Sequence, residues 1–176
     1  MGSTVRLQLV NHIFALMPLT KGYSLRARLL RWAGVACSRS ARIVSSAHII
    51  LQEVDIGDDS FIGHQVLITG DSSARIVIGK RVDIAPRCVL LSGSHEIDMR
   101  GERSAGTGTG ASVRIGDGVW LGANSIVLPG VTIGERAVIG AGSVVVHDIP
   151  AWCVAMGNPC RVSKRWDKNE GRFQVP

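Results

Sequence analysis

IGDGVW LGANSI VLPGVT IGERAV IGAGSV V, residues 115–145, brings back an aliphatic side chain at every sixth position: Ile115, Leu121, Val127, Ile133, Ile139 and Val145. So short a period falls below any helix-pair repeat and belongs to a chain wound into flat coils, the hexapeptide kind of parallel β-helix. Four places after each aliphatic stands a small or β-branched residue: Val119, Ser125, Val131, Ala137, Ser143 and Ile149. It precedes the next aliphatic by two, and strand side chains alternate faces, so both point into one narrow interior. Gly116, Gly122, Gly134 and Gly140 directly follow their aliphatics, where a corner demands backbone freedom or close approach. Three hexads make one triangular coil, and a sandwich with glycine turns would not keep six beats in register.

Upstream the beat returns at Ile56, Ile62 and Ile68, slips, and resumes at Ile78, Ile84 and Leu90, with Ile43 and Ile49 as a worn first coil. Between Leu90 and Ile115 the text EIDMRGERSAGTGTGAS has no aliphatic rhythm, so a loop leaves the prism there. The chain is thereby read as one all-β solenoid domain: an N-terminal helical cap (1–38), a parallel β-helix (39–156) with a loop excursion at 96–112, and a short C-terminal tail (157–176).

Three Phe and one Tyr suit a thin prism with no room for large rings. Cys37, Cys88, Cys153 and Cys160 show no CxxC spacing and read as reduced small hydrophobes of a cytoplasmic protein. The opening VRLQLVNHIFALMPL is interrupted by Asn11 and His12, has no small-x-small cleavage site and is too short to span a bilayer. SLRARLLRWAG sets Leu25, Leu29, Leu30 and Trp32 against Arg26, Arg28 and Arg31. That pattern reads as a cap over the open end of the stack, and it also suits peripheral contact with a membrane. A net charge of +6 and a pI near 9.7 invite a nucleic-acid reading. It fails, because only Trp166 interleaves with the basic RVSKRWDK and a β-helix offers no helix for a groove.

His95, in LLSGSHEID, stands where the rhythm breaks and is the leading general base, since neutral imidazole accepts a hydroxyl proton near pH 7. Glu96 and Asp98 lie close enough in sequence to orient it or hold an acceptor. His48 and His147 read as outward-facing, His12 as part of the helical lead, and His64 as a neighbour one or two coils from His95. No cluster resembles a metal site. The run GTGTG at 106–110 lacks GK[ST] and a strand-to-helix context, so it reads as a flexible arm rather than a phosphate loop.

Three stretches, VIGKRVDIAPRCVLLSGSHEID, residues 115–145 and DIPAWCVAMGNPCRV, together resemble the hexapeptide-repeat acyltransferases over roughly residues 43–165. Within them the likeness is greatest to the maltose and galactoside O-acetyltransferases and the sugar O-acetyltransferases of polysaccharide biosynthesis. The resemblance implies a left-handed β-helix, a homotrimer with active sites between neighbouring prisms, and acetyl-CoA as co-substrate. It makes His95 the catalytic base of direct acetyl transfer to a sugar or glycan hydroxyl. It places Trp120 at the thioester end, Gly122, Ala123 and Ala141 along the pantetheine, and Arg161 and Lys164 of the tail at the nucleotide phosphates.

The sequence departs from that pattern at the acceptor. Gln65 stands where the sugar enzymes carry an Asn, and their Asp is displaced to Asp71. Gln65, Asp71 and Asp98 are therefore the acceptor candidates, in a pocket rebuilt for something other than a simple galactoside or maltose. Two alternatives stay open: an N-acetyltransferase acting on an amino sugar or other amine, and a non-catalytic hexapeptide-repeat scaffold. A γ-type carbonic anhydrase would need two histidines five residues apart, and no pair here has that spacing.

Overall fold

Coil by coil, the hexads become short strands. The computed structural model describes residues 2–175. Helices α1 (Ser3–Ala15) and α2 (Tyr23–Trp32) precede a left-handed parallel β-helix. Its first coil is β1 (Ala36–Cys37), β2 (Arg42–Ile43) and β3 (His48–Ile49). The second is β4 (Val54–Ile56), β5 (Phe61–Ile62) and β6 (Leu67–Thr69), and the third β7 (Ile76–Ile78), β8 (Asp83–Ile84) and β9 (Val89–Leu91). A hairpin, β10 (Gly93–Ile97) and β11 (Ala105–Gly110), then leaves the prism. The fourth coil is β12 (Val113–Ile115), β13 (Trp120–Leu121) and β14 (Ile126–Val127); the fifth is β15 (Thr132–Ile133), β16 (Val138–Ile139) and β17 (Val144–Val145). After them come β18 (Cys153–Met156), β19 (Arg161–Asp167) and β20 (Arg172–Gln174).

Each coil gives one strand to each of three faces: β1-β4-β7-β12-β15, then β2-β5-β8-β13-β16-β18-β19-β20, then β3-β6-β9-β14-β17. The aliphatic and small positions are both buried, from Ile43 to Val145 and from Ser60 to Ile149. Each enclosed Ile, Leu or Val contributes roughly 1.5–3 kcal/mol of transfer free energy. Serine is tolerated inside because its hydroxyl finds a carbonyl: Ser60 donates to Gly79, Ser125 to Gly122 and Ser143 to Gly140, at 2.7, 2.7 and 2.6 Å.

The corner glycines divide two tasks. At Gly116, Gly122 and Gly134 an added Cβ would stand 2.3–2.6 Å from backbone of the next coil, so the demand there is close approach. Left-handed backbone falls instead two residues on, at Asp59, Gln65, Arg81, Arg87, Gly118, Asn124, Gly130, Arg136, Gly142 and Trp152, with φ between +52° and +84°. A non-glycine residue there costs about 1–2 kcal/mol. The turn directs its amide at the coil below, as in Arg136 N to Asp117 O and Arg87 N to His64 O at 2.8 Å, which offsets part of that cost.

Four expectations need correction. The solenoid opens at Ala36, inside the segment assigned to the cap, because Ala36 and Cys37 pair with Asp55 and Ile56. Cys37 occupies an aliphatic slot six places before Ile43, which hides that beat from view. The excursion is an antiparallel hairpin rooted at Gly93, and the GTGTG run is its second strand rather than a flexible arm. The tail, set apart from the β-helix, instead continues it: β19 and β20 extend the second face antiparallel, with Trp166 and Phe173 in edge-to-face contact at 5.0 Å.

The fourth concerns the helical lead. Arg26, assigned to the polar side of α2, is fully buried, whereas Leu25 and Trp32 are exposed. The main-chain groups of Ile43 and Ile49 face the free edge of the first coil, with no strand beyond to pair them. The Arg26 guanidinium donates to the Ile43, Pro18 and Leu19 carbonyls. The Asn11 amide accepts from Ile49 N at 3.3 Å and donates to Ile49 O at 2.8 Å, standing in for a missing strand. Asn11→Ala should therefore lower stability by about 1–3 kcal/mol, the cost of unpaired buried amide groups. An unchanged urea midpoint for the variant would contradict this.

Candidate active site

The slip in the beat between Ile68 and Ile78 and the excursion after Leu91 converge. Both lie on the edge where the third face turns into the first, one coil apart. Three glycines let them touch: a Cβ at Gly70 would meet Ser92 Oγ at 2.0 Å, one at Gly93 would meet Asp71 N at 2.8 Å, and one at Gly110 would meet Ser73 Oγ at 2.7 Å. The result is a cavity of about 330 Å³ lined by Thr69, Gly70, Asp71, Ser94, His95 and Gly108 among others.

His95 is exposed on β10, opposite Gly108 of β11. Its Nδ1 lies 3.0 Å from the Gly106 carbonyl oxygen, which can only accept, so Nδ1 carries a proton and Nε2 is the nitrogen with the lone pair in the neutral ring. Residue 106 has little room for a side chain, because a Cβ would stand 3.0 Å from Asp98 Cβ. The Gly-Thr run thus has a positional role: it aims a carbonyl at the imidazole. Asp71 shares the cavity, and hydrogen bonds from the Ser73 hydroxyl and amide hold its carboxyl below the usual carboxylate range. It is an anion at neutral pH, available to accept from a ligand hydroxyl.

The other acceptor candidates are elsewhere. Asp98 sits at the hairpin turn, its carboxylate accepting from Arg100 N and Gly101 N, bonds that lower its pKa, and with Glu96 it lines a separate hollow. Gln65 occupies a left-handed corner on the second–third edge, where its Oε1 accepts from Arg87 Nε at 3.0 Å. His64 is on that edge too, 2.6 Å from Ser46 Oγ, and so is no neighbour of His95. Thr69, Ser94 and the Gly106 carbonyl were not anticipated, and the slip before Ile78 was the signal that could have found them. A larger groove of about 650 Å³ between α1 and the first coil holds His12 and His48 and none of these residues.

The residues assigned to the cofactor assemble along a different edge. Gly122 and Ala123 of the fourth coil and Ala141 of the fifth stack at the turn from second to third face, with Gly142 N donating to Ala123 O at 2.8 Å. Arg161 lies at the top of this edge, opposite Met156, whose Cβ a side chain at Gly140 would press. Trp120, Val138, Val154 and Lys164 form one row across the second face by register. Trp120 is 55% exposed, and among the described residues neither Arg161 nor Lys164 has a carboxylate within 4.0 Å. An aromatic wall, two unpaired cations and small corner residues fit a phosphate-bearing, amide-rich ligand. Burial meanwhile holds all four thiols up, Cys37 to about 11, which disfavours a thiolate nucleophile.

The chain is similar to proteins of known identity. The family "Bacterial transferase hexapeptide (six repeats)" matches residues 112–147. The maltose O-acetyltransferase from Clostridium difficile 630 superposes with a TM-score of 0.79 at 31% identity, over 94% of this chain and 87% of that one. The chain belongs to the hexapeptide-repeat acyltransferase superfamily. Among its other members, the hexapeptide-repeat acetyltransferase VCA0836 from Vibrio cholerae O1 biovar eltor, complexed with acetyl coenzyme A, superposes with a TM-score of 0.77 at 27% identity, over 94% of this chain and 88% of that one. The galactoside O-acetyltransferase of Escherichia coli (strain K12) is 38% identical over 120 residues, 68% of this chain and 58% of that protein. The chain spans about half the length of the curated relatives it matches.

Proposed function

We propose that the protein is an acetyl-CoA-dependent O-acetyltransferase that acetylates a hydroxyl of a sugar or glycan precursor, with His95 as general base. The observation that carries this reading is His95 on a cavity wall beside ionised Asp71, with Nδ1 committed to the Gly106 carbonyl and Nε2 left to take a proton. Acetyl-CoA, as co-substrate, supplies an activated acyl group, and Trp120, Gly122, Ala123, Ala141, Arg161 and Lys164 are the residues to hold it. His95 Nε2 removes the acceptor's hydroxyl proton as the oxygen attacks, and the imidazolium returns that proton to the departing thiolate. No acyl-enzyme is required, in keeping with the buried, high-pKa thiols. Asp71 holds a second hydroxyl of the acceptor. The complexes and names of the structural relatives support the choice of acyl donor and of a sugar acceptor.

The two sets of residues bound opposite edges of the third face, on the order of 15 Å apart at strand spacing. Transfer needs reacting atoms about 3–3.5 Å apart. A second prism must therefore bring its cofactor edge to this His95, and a homotrimer closes such heterologous contacts. Four buried, unbridged cysteines suit a reducing cytoplasm, and surface-polysaccharide synthesis is a fitting context for the acceptor.

The test is to incubate the protein with acetyl-CoA and a panel of sugars, amino sugars and glycan precursors, following thiol release and then product linkage. An acetyl ester formed with acceptor-dependent thiol release is expected. An amide product would replace this reading with the amine one, and no release with any acceptor would leave a scaffold.

A further inference from the structure

The inner faces of α1 and α2 close the first coil, and their outer faces are left over. On α1 the buried residues Leu7, Val10, Asn11 and Phe14 fill one side. At 100° per residue, Val5, Leu9, His12 and Leu16 fall within a narrow stripe on the opposite side. Of these, Val5 is 49%, Leu9 42% and Leu16 89% exposed, and Leu19 continues the line. α2 repeats the arrangement: Ala27 and Leu30 are buried, while Leu25, Arg28 and Trp32 face out. Because Arg26 and Asn11 bond the free edge of the first coil, both outer faces look along the prism axis, away from a neighbour packed side by side.

Charge identifies what covers this surface. Every acidic residue lies at Glu53 or beyond, whereas the seven cations Arg6, Lys21, Arg26, Arg28, Arg31, Arg39 and Arg42 precede it, so this end carries +7 and the rest of the chain −1 of the net +6. Arg26 is committed to carbonyls and Arg42 to Asp83. Among the described residues the remaining five have no carboxylate within 4.0 Å. Arg28, Arg31 and Arg39 line one shallow hollow with Leu25, and Arg6 lies over the Trp32 ring at 5.3 Å. Apolar residues flanked by unpaired cations match an acyl boundary beneath anionic headgroups. No helix among the described residues is long and apolar enough to cross a membrane.

We propose that the outer surface of the α1–α2 cap docks the protein onto an anionic lipid bilayer, on which it lies without crossing. Binding here is independent of the acyltransfer reading. The test is co-sedimentation of the full chain with vesicles of phosphatidylcholine alone or mixed with phosphatidylglycerol. Wild type should bind the anionic vesicles about tenfold or more tightly than the neutral ones, with the preference fading as salt shortens the Debye length. Leu9→Ser with Leu16→Ser should lose most binding to both, while Arg28→Glu with Arg39→Glu should lose the anionic preference. Far-UV circular dichroism melts matching wild type would show that these surface changes leave the fold intact. Failure of wild type to pellet, or pelleting unaffected by either pair, would overturn the proposal. So would concentration-dependent self-association removed by Leu9→Ser with Leu16→Ser in the absence of vesicle binding, since the face would then join two copies.

Discussion

His95→Ala should lower kcat by about two to four powers of ten, the scale on which a positioned general base contributes. Affinity for acetyl-CoA should scarcely change, because the residues assigned to its phosphates and pantetheine, Arg161, Lys164, Gly122, Ala123 and Ala141, stay intact in the variant. Stability should fall by about 1 kcal/mol or less, since the ring is exposed and gives up one hydrogen bond, to Gly106. Steady-state thiol release, calorimetry with coenzyme A and a thermal melt separate the three quantities. Turnover within a factor of a few of wild type would move the chemistry away from the hairpin root. His95→Asn makes the sharper comparison: its amide can still donate to the Gly106 carbonyl but cannot accept a hydroxyl proton at neutral pH. If orientation alone mattered, Asn would rescue the rate; with base catalysis it should be as slow as Ala.

The solenoid was legible because one physical demand, a thin interior filled from alternate strand positions, repeats at fixed spacing. Where a residue satisfied that demand in an unusual way the reading weakened. Cys37 serves as an aliphatic at the start of the first coil, and Arg26 is interior because chain ends leave carbonyls that only a donor can satisfy. Neither has a signature in hydrophobic periodicity. The site was half legible. His95 was singled out by a break in rhythm together with the family resemblance, but the residues that share its cavity depend on how two interruptions in neighbouring coils fit together. Gly70, Gly93 and Gly110 have their function only through that contact, and a one-dimensional pattern cannot register it. Gln65 stands apart from Asp71 for a reason of the same kind. Alignment by motif put it near Asp71 in sequence, while the corner after Gly63 carries it to a different edge. The Asp98 carboxylate closes the hairpin turn and lines a hollow apart from the one that holds His95.

Arg161→Ala with Lys164→Ala should weaken coenzyme A by about 2–4 kcal/mol, from two charge-assisted contacts to phosphate. The cations are placed for this by the antiparallel return of β19: register sets Lys164 beside Val154 in the row that begins at Trp120, and Arg161 beside Met156 at the end of the cofactor edge. Screening should make the loss smaller at high salt, as expected for exposed charges. Unchanged affinity by calorimetry would reject the placement. The same variant then tests the geometry between subunits. His95→Ala keeps an intact cofactor edge and lacks the base, whereas the double variant keeps the base and lacks the phosphate contacts. If base and cofactor meet only across an interface, co-expressed mixtures of these two chains, assayed at acetyl-CoA too dilute for the double variant to bind, should regain acetyl transfer that neither has alone, because some interfaces pair a sound edge with a sound His95. Were both groups used within one prism, every site in the mixture would stay defective and no activity would return. Recovery in the mixture would therefore place the transfer in a groove between two copies, and its absence would require a path of about 15 Å across a single face, since the cavity that holds His95 is lined by none of the residues assigned to the cofactor.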